Sequence, residues 1–158
     1  MSSRVVVAMR VPGPPERAFR VFTQEVGLWW RDNPLWRFTP RSPGALAFEP
    51  PAEGTPGRFV ERLESGKLFE IGEITAWEPG RRLVFGWRQA SFGPDQRTEV
   101  EVTFESVGDE TRITVEHRGW DAIPTANVAR HGMASPLFER RYADWWRTLL
   151  ASLGQRAG

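Results

Sequence analysis

Thr98-Glu-Val-Glu-Val-Thr-Phe-Glu-Ser-Val-Gly-Asp-Glu-Thr-Arg-Ile-Thr-Val-Glu-His-Arg118 alternates apolar and polar residues on both sides of Gly108-Asp109. Successive strand side chains point to opposite faces, so a period of two on each flank of a two-residue turn signal specifies an antiparallel hairpin with one buried face. With Gly108 and Asp109 as the loop, Val100 faces His117, Val102 faces Val115 and Phe104 faces Ile113, all on one side. The other side sets Glu105 against Arg112 and Glu99 against Arg118. It also sets Glu101 against Glu116, a like-charge contact that Arg88 of a neighbouring strand is expected to relieve. A slip of one residue would turn every one of these side chains over.

Upstream of the hairpin the same texture continues. Arg58 to Leu63, Leu68 to Trp77 and Arg82 to Arg88 are strand-like runs ended by Glu64-Ser65-Gly66-Lys67, Glu78-Pro79-Gly80 and Gly93-Pro94. They predict a meander of antiparallel strands. Residues 31–57 hold too many Pro and Gly for a long element, leaving only a short strand around Leu46 to Glu49. At the N-terminus a strand from Arg4 to Val11 stops at Pro12-Gly13-Pro14-Pro15, and a helix is expected from Pro14 or Pro15 with Glu16 in its first turn. Ala18, Phe19, Phe22 and Val26 recur at helical spacing, and Gly27 is expected to break or kink the helix before Trp29-Trp30.

Downstream, Ser135-Pro136 reads as an N-cap and first helical residue, and the helix should end at Gly154. Phe138, Tyr142, Trp145 or Trp146, Leu149 and Leu153 form its apolar stripe. Neighbouring helical residues are about 100° apart, so one of Trp145 and Trp146 is expected to stay partly exposed. An exposed Trp146 beside Leu150 would offer a self-complementary patch for a homodimer. One long helix with one apolar face needs a sheet to cover, which makes the chain α+β, with an antiparallel sheet packed on a C-terminal helix.

Composition narrows the function classes. The 158 residues fit one domain over 1–158, with a core from about 4 to 154. There is no Cys, hence no thiolate nucleophile, disulfide or Cys-ligated zinc, in keeping with a cytoplasmic setting. The charge is +1, from 21 basic and 20 acidic residues, which gives no field for nucleic acid. No apolar run approaches the roughly 18 residues of a membrane span. Phosphate-binding glycine loops, a Gly-x-Ser-x-Gly elbow and His-Glu-x-x-His are all missing, and two His residues are too few for a three-His zinc site. Neither metal nor cofactor is expected. What stands out is 8 Trp and 10 Phe against one Tyr, enough rings either to fill a core or to wall a pocket.

Several segments together resemble a known family. They are Val11-Pro-Gly-Pro-Pro-Glu-Arg-Ala-Phe19 with Phe22 and Trp29-Trp30, Gly57-Arg-Phe-Val-Glu61, Gly72-Glu-Ile-Thr-Ala-Trp-Glu-Pro79, Arg82-Leu-Val-Phe85 with Trp87, and Thr111-Arg-Ile-Thr-Val-Glu-His-Arg-Gly119. From about Val5 to Leu153 the chain resembles the activator of heat-shock-protein-90 ATPase homologue-like proteins. These lie within the START, polyketide cyclase and birch-pollen-allergen (SRPBCC) superfamily. The resemblance implies a helix-grip fold: a curved sheet of seven or so strands wrapped around the long C-terminal helix, with two short helices after the first strand. It also implies a cavity between sheet and helix that accepts an apolar ligand. Eukaryotic members that stimulate the chaperone ATPase carry an additional domain for that work, and a chain of this length is not expected to accommodate one.

Within that frame the candidate ligand-binding residues are Trp29, Trp30, Trp36, Phe38, Phe59, Glu61, Trp77, Phe85, Trp87, His117, Tyr142, Trp145 and Leu149. The cluster Trp29, Trp30, Trp36 and Phe38 beside the Pro-rich segment could close a pocket mouth. Tyr142 carries the one hydroxyl among these aromatics, a handle for a ligand carbonyl. Glu61 and His117 are the polar candidates: on an apolar wall, a carboxylate and an imidazole can shift each other's pKa and transfer protons, or simply hold a polar head group. The expected function is binding of a small hydrophobic or amphipathic molecule between the sheet and the last helix. The alternatives are a cyclase or isomerase using Glu61 and His117, and a chaperone-linked protein-interaction module.

Overall fold

The computed structural model describes residues 4–39 and 44–158. Strand β1 (Arg4–Pro12) is followed by helices α1 (Pro15–Gln24) and α2 (Val26–Trp29) and a 3-10 turn (Pro34–Trp36). Six further strands come next: β2 (Ala45–Glu49), β3 (Arg58–Arg62), β4 (Leu68–Glu78), β5 (Arg82–Trp87), β6 (Thr98–Val107) and β7 (Glu110–Arg118). Two more 3-10 turns lead to helix α3 (Ser135–Ala157). The strands form one antiparallel sheet in the order β1-β7-β6-β5-β4-β3-β2, curled around α3 in the helix-grip α+β arrangement.

The β6–β7 hairpin has the register its sequence specifies: Val100 pairs with His117, Val102 with Val115 and Phe104 with Ile113, and all six are buried. Gly108 takes a positive φ of 60° at the turn, the requirement that glycine meets without cost. On the outer face Glu101 does lie opposite Glu116, but Arg88 plays no part in relieving it. Arg82 Nε donates to Glu101 Oε2 at 2.7 Å and Arg118 Nη1 to Glu101 Oε1 at 2.9 Å, while Arg4 reaches Glu116 at 3.3 Å. Arg88 sits farther along the sheet, over the Phe69 ring, and donates to the Glu70 carbonyl.

The curl has a local cause at β4–β5. The register shifts between Ile74 and Ala76 there, and between Phe59 and Val60 in the adjoining β3–β4 pair. At Gly72 the neighbouring backbone comes so close that a Cβ would lie 1.9 Å from the Gly86 carbonyl oxygen, so no other residue fits. Bulges and a glycine at close backbone approach are the devices that bend a sheet.

Three local expectations are corrected at the helices. The break after α1 falls at Glu25, with φ −118° and ψ 26°, and Gly27 lies inside α2. Ser135 is not the N-cap of α3: Ala134 is, and the Ser135 hydroxyl instead accepts from the buried Arg130 guanidinium at 3.2 Å. The helix passes through Gly154 to Ala157, because Gly154 serves close packing; its Cβ would stand 3.3 Å from Val11 Cγ1 of β1.

Both Trp145 and Trp146 are buried, as is Leu150, so the apolar patch expected to support a homodimer is not exposed. Trp146 faces the sheet, whereas Trp145 is covered by the chain between α2 and the 3-10 turn, with its Nε1 donating to the Arg31 carbonyl at 3.1 Å. Among the described residues no helix is long and apolar enough to cross a membrane.

Candidate functional site

Rings fill the space between sheet and helix. Phe59 stacks on Phe48 at 4.2 Å between centroids and meets Phe85 at 5.3 Å, while Trp87 contacts Phe38, His117, Tyr142, Trp145 and Trp146. Trp29, Phe59, Phe85, Trp87, Tyr142 and Leu149 are fully buried. These fully buried candidates are core, and Trp77, half-buried, packs against it on Phe19 of α1.

His117 is held by two neighbours, Trp146 and Thr98, whose hydrogen-bonding properties fix its tautomer. An indole nitrogen can only donate, so Trp146 Nε1, 3.4 Å away, makes His117 Nδ1 an acceptor. The proton of the neutral ring is then on Nε2, which donates to Thr98 Oγ1 at 2.7 Å, and that hydroxyl donates to the Trp87 carbonyl. Burial, assisted by the nearby Arg118 charge, pushes the His117 pKa well below its ordinary value, so the ring is neutral. Tyr142, 5.1 Å from His117, is fully buried with its hydroxyl unpartnered, and burial drives its pKa well up. The indole nitrogens of Trp87 and Trp120 are unpartnered in the same layer.

Glu61 stands elsewhere. It is 2% exposed, and its carboxylate accepts from Thr39 Oγ1 at 2.8 Å and from the Gly44 amide at 3.0 Å. β3 is four strands from β7 in the sheet, and Glu61 and His117 have no hydrogen-bonding partner in common. The structure therefore does not bring the two polar candidates together. Among the described residues no three His, Asp or Glu side chains gather into a metal-binding group.

What Glu61 does line is a pocket of about 300 Å³ at one end of the grip, between α2, the 3-10 turn, β2, β3 and α3. Trp36, Phe38, Glu61 and Trp145 are its buried floor, Trp30 and Leu46 its half-buried walls, and Gly27, Asp32 and Ala45 its exposed rim. Local sequence explains the shape. Asn33 caps the 3-10 turn through Leu35 N, with Pro34 at its start, which drives Trp36 inward to stack on Trp145 at 5.6 Å and donate from Nε1 to the Ala129 carbonyl. Arg37 and Asp32 then clasp across the turn, with Arg37 Nη2 donating to Asp32 Oδ2 at 2.8 Å. Gly44 has to be glycine: a Cβ there would lie 2.4 Å from the Arg62 carbonyl oxygen and 2.7 Å from Glu61 Cγ, and the bare backbone is what lets its amide reach the carboxylate.

Five of the sequence-derived candidates, Trp30, Trp36, Phe38, Glu61 and Trp145, thus meet at one pocket. Asp32, Arg37, Gly44 and Leu46 also line it and were not anticipated, and Thr39 supports it from behind Glu61. The only signal for them is the density of Pro and Gly around them, which marks a loop without saying where its side chains go.

A family model described as Activator of Hsp90 ATPase homolog 1-like protein matches residues 12–153. A search of curated proteins returns no match to the sequence. Among solved structures, the fold is similar to that of protein MLL2253 from Mesorhizobium loti, with 23% identity and a TM-score of 0.64 over 96% of this chain and 94% of that one. It is similar to CalU16 from Micromonospora echinospora, with 17% identity and a TM-score of 0.61 over 97% and 73% of the two chains. It is also similar to a protein described as an HSP90 activator from Plasmodium falciparum, with 21% identity and a TM-score of 0.61 over 96% and 93%.

Proposed function

The chain belongs to the Activator of Hsp90 ATPase homolog 1-like family, and from that premise we propose that it binds a small amphipathic molecule in the pocket between α2, the 3-10 turn, β2–β3 and α3. Family membership points to ligand binding or to activation of the Hsp90 ATPase, and one observation favours the first. Where the rest of the grip is packed with rings, this end keeps an opening of about 300 Å³ with an aromatic floor and a few placed polar groups. That is the build and the lower size limit of ordinary ligand sites, about 300–1,000 Å³. Binding rather than proton transfer is the reading, because His117 is not among the lining residues and both of its ring nitrogens are engaged by protein neighbours.

The test is native mass spectrometry of protein purified without detergent, set against its denatured mass, with Trp fluorescence for added ligands. A co-purified small molecule in near-unit ratio, or quenching that Trp30→Phe diminishes, is expected. A ligand-free protein whose fluorescence ignores fatty acids, sterols, aromatic polyketides and aromatic amines would refute the reading.

A second reading, a chaperone-linked role, is supported by the family's description and by the likeness to the Plasmodium falciparum HSP90 activator. It predicts that the purified chain stimulates an Hsp90 ATPase with its pocket empty. Absence of stimulation at saturating concentration would remove it.

A further inference from the structure

The pocket's charge inventory indicates what its occupant carries. Arg37, the basic residue in the lining, is clasped by Asp32 of the same lining, so these two opposite charges offset one another. Among the described residues Glu61 has no such cation. Both of its described hydrogen bonds come from neutral donors, the Thr39 hydroxyl and the Gly44 amide, and among the described residues no basic side chain pairs with it. An ionised carboxylate has about four acceptor positions, of which these bonds fill two. Elsewhere on the molecule the carboxylates of Glu49, Glu105 and Asp144, which are well exposed, are each paired with an arginine. Glu61, which is buried, has no such partner among the described residues. Trp30, Phe38 and Trp145 line the same pocket, and the faces of aromatic rings carry partial negative charge and attract cations.

We propose that the ligand of this pocket is an organic cation, an amine whose ammonium donates to Glu61 and whose apolar or aromatic body lies against Trp30, Phe38 and Leu46. The proposal rests on the reading of the pocket as a ligand site and adds the chemical class. An amine supplies both things the site lacks: N–H donors for the spare carboxylate lone pairs and a positive charge among electron-rich rings. A carboxylate ligand such as a fatty acid would bring a second negative charge to the floor. A neutral ligand would leave Glu61 without its counter-charge.

The experiment is isothermal titration calorimetry at pH 7.5 with three probes of one shape and different charge: phenethylamine, 2-phenylethanol and 3-phenylpropionate. In the wild-type protein the amine is expected to bind at least about tenfold more tightly than the alcohol, as a charge-assisted hydrogen bond requires, and the carboxylate most weakly. In Glu61→Gln the amine should fall to the level of the alcohol, whose affinity stays within about twofold. Equal or tighter binding of the carboxylate, or an amine preference untouched by Glu61→Gln, would overturn the proposal while leaving the pocket a ligand site. Binding of none of the three would overturn the proposal, and the wider fluorescence panel then decides whether the pocket is a ligand site at all. The ranking in the wild-type protein decides the matter even where the variant fails to fold.

Discussion

His117 gives the fold a built-in acid sensitivity whose size can be worked out. The ring is fully buried and its bonds to Trp146 Nε1 and Thr98 Oγ1 fix it as neutral. The groups around it are Trp87 from β5, Thr98 from β6, Trp120, and Tyr142 and Trp146 from α3, all uncharged, with Arg118 the charge that acts on it. Its native pKa is well below the ordinary value, so on acidification the unfolded chain takes up a proton that the native protein refuses. Stability then falls with decreasing pH from the unfolded imidazole pKa, about 6.5, at up to about 1.4 kcal/mol per unit. Between about pH 7.5 and 5.0 the loss from this one group reaches about 2 kcal/mol.

Carboxylates act mostly below that window. Glu101, held low by Arg82 and then Arg118, contributes stability that is present above its unfolded pKa and is lost only as the pH drops past it. Urea unfolding of wild type and of His117→Phe across this pH range isolates the effect, because every other group titrates in both proteins. At pH 7.5 the variant should be weaker, since Trp146 Nε1 and Thr98 Oγ1 lose their partner at about 1–3 kcal/mol for each buried group left unsatisfied. By pH 5.0 the gap should have narrowed by about 2 kcal/mol. A gap constant with pH, in His117→Phe or in His117→Gln if the first does not fold, would refute a neutral buried imidazole.

The sheet bend predicts an asymmetry between two glycines: Gly72→Ala, aimed at a carbonyl 1.9 Å away, should cost at least about 3 kcal/mol, and Gly86→Ala, whose nearest neighbour is 3.4 Å away, less than about 1 kcal/mol, with equal effects counting against the account. Trp36→Ala removes a 2% exposed ring stacked on Trp145 and should cost about 3–5 kcal/mol in chemical denaturation, while a cost under about 1 kcal/mol would mean the turn does not plug the helix. Arg118→Gln frees Glu99 and Glu101 together; because these charges are partly exposed, a loss of only about 1 kcal/mol is expected, shrinking as salt is raised, and a salt-independent loss would point to packing instead.

Period-two patterning made the sheet legible. The β6–β7 register could be read pair by pair because half of each strand must be buried and a slip would bury Glu99, Glu101 and Glu105. The long helix was legible from its stripe, but its two faces were not: Trp146 lies under the sheet and Trp145 under residues 31–36, a contact 114 positions away in sequence. No local pattern encodes that. Ser135 looked like a cap because its hydroxyl is of the right kind, yet a buried arginine five residues earlier engages it first. From strand order alone Arg88 is a candidate partner for Glu101, but the β5–β6 register sets Val84 opposite Glu101 and ends at the Trp87–Thr98 pair, so Arg82 reaches the carboxylate instead.

The candidate site was half legible for a related reason. Eight Trp and ten Phe announce either a core or a pocket, and which one depends on whether the summed ring volume fills the space under the sheet. Here it does so around His117 and Tyr142, at the expense of three polar atoms, Trp87 Nε1, Trp120 Nε1 and Tyr142 Oη, left without partners. It fails to do so at the β2–β3 end, where Gly27 and Gly44 bring backbone rather than side chains to the edge. The polar residues sort by the same criterion. His117 sits where packing is complete, and its neighbours use all of its hydrogen-bonding capacity. Glu61 sits where packing stops, and its capacity is half used. A side chain whose bonding is complete contributes to stability and to the pH at which stability is lost; one with spare capacity beside an opening is the one able to select what enters.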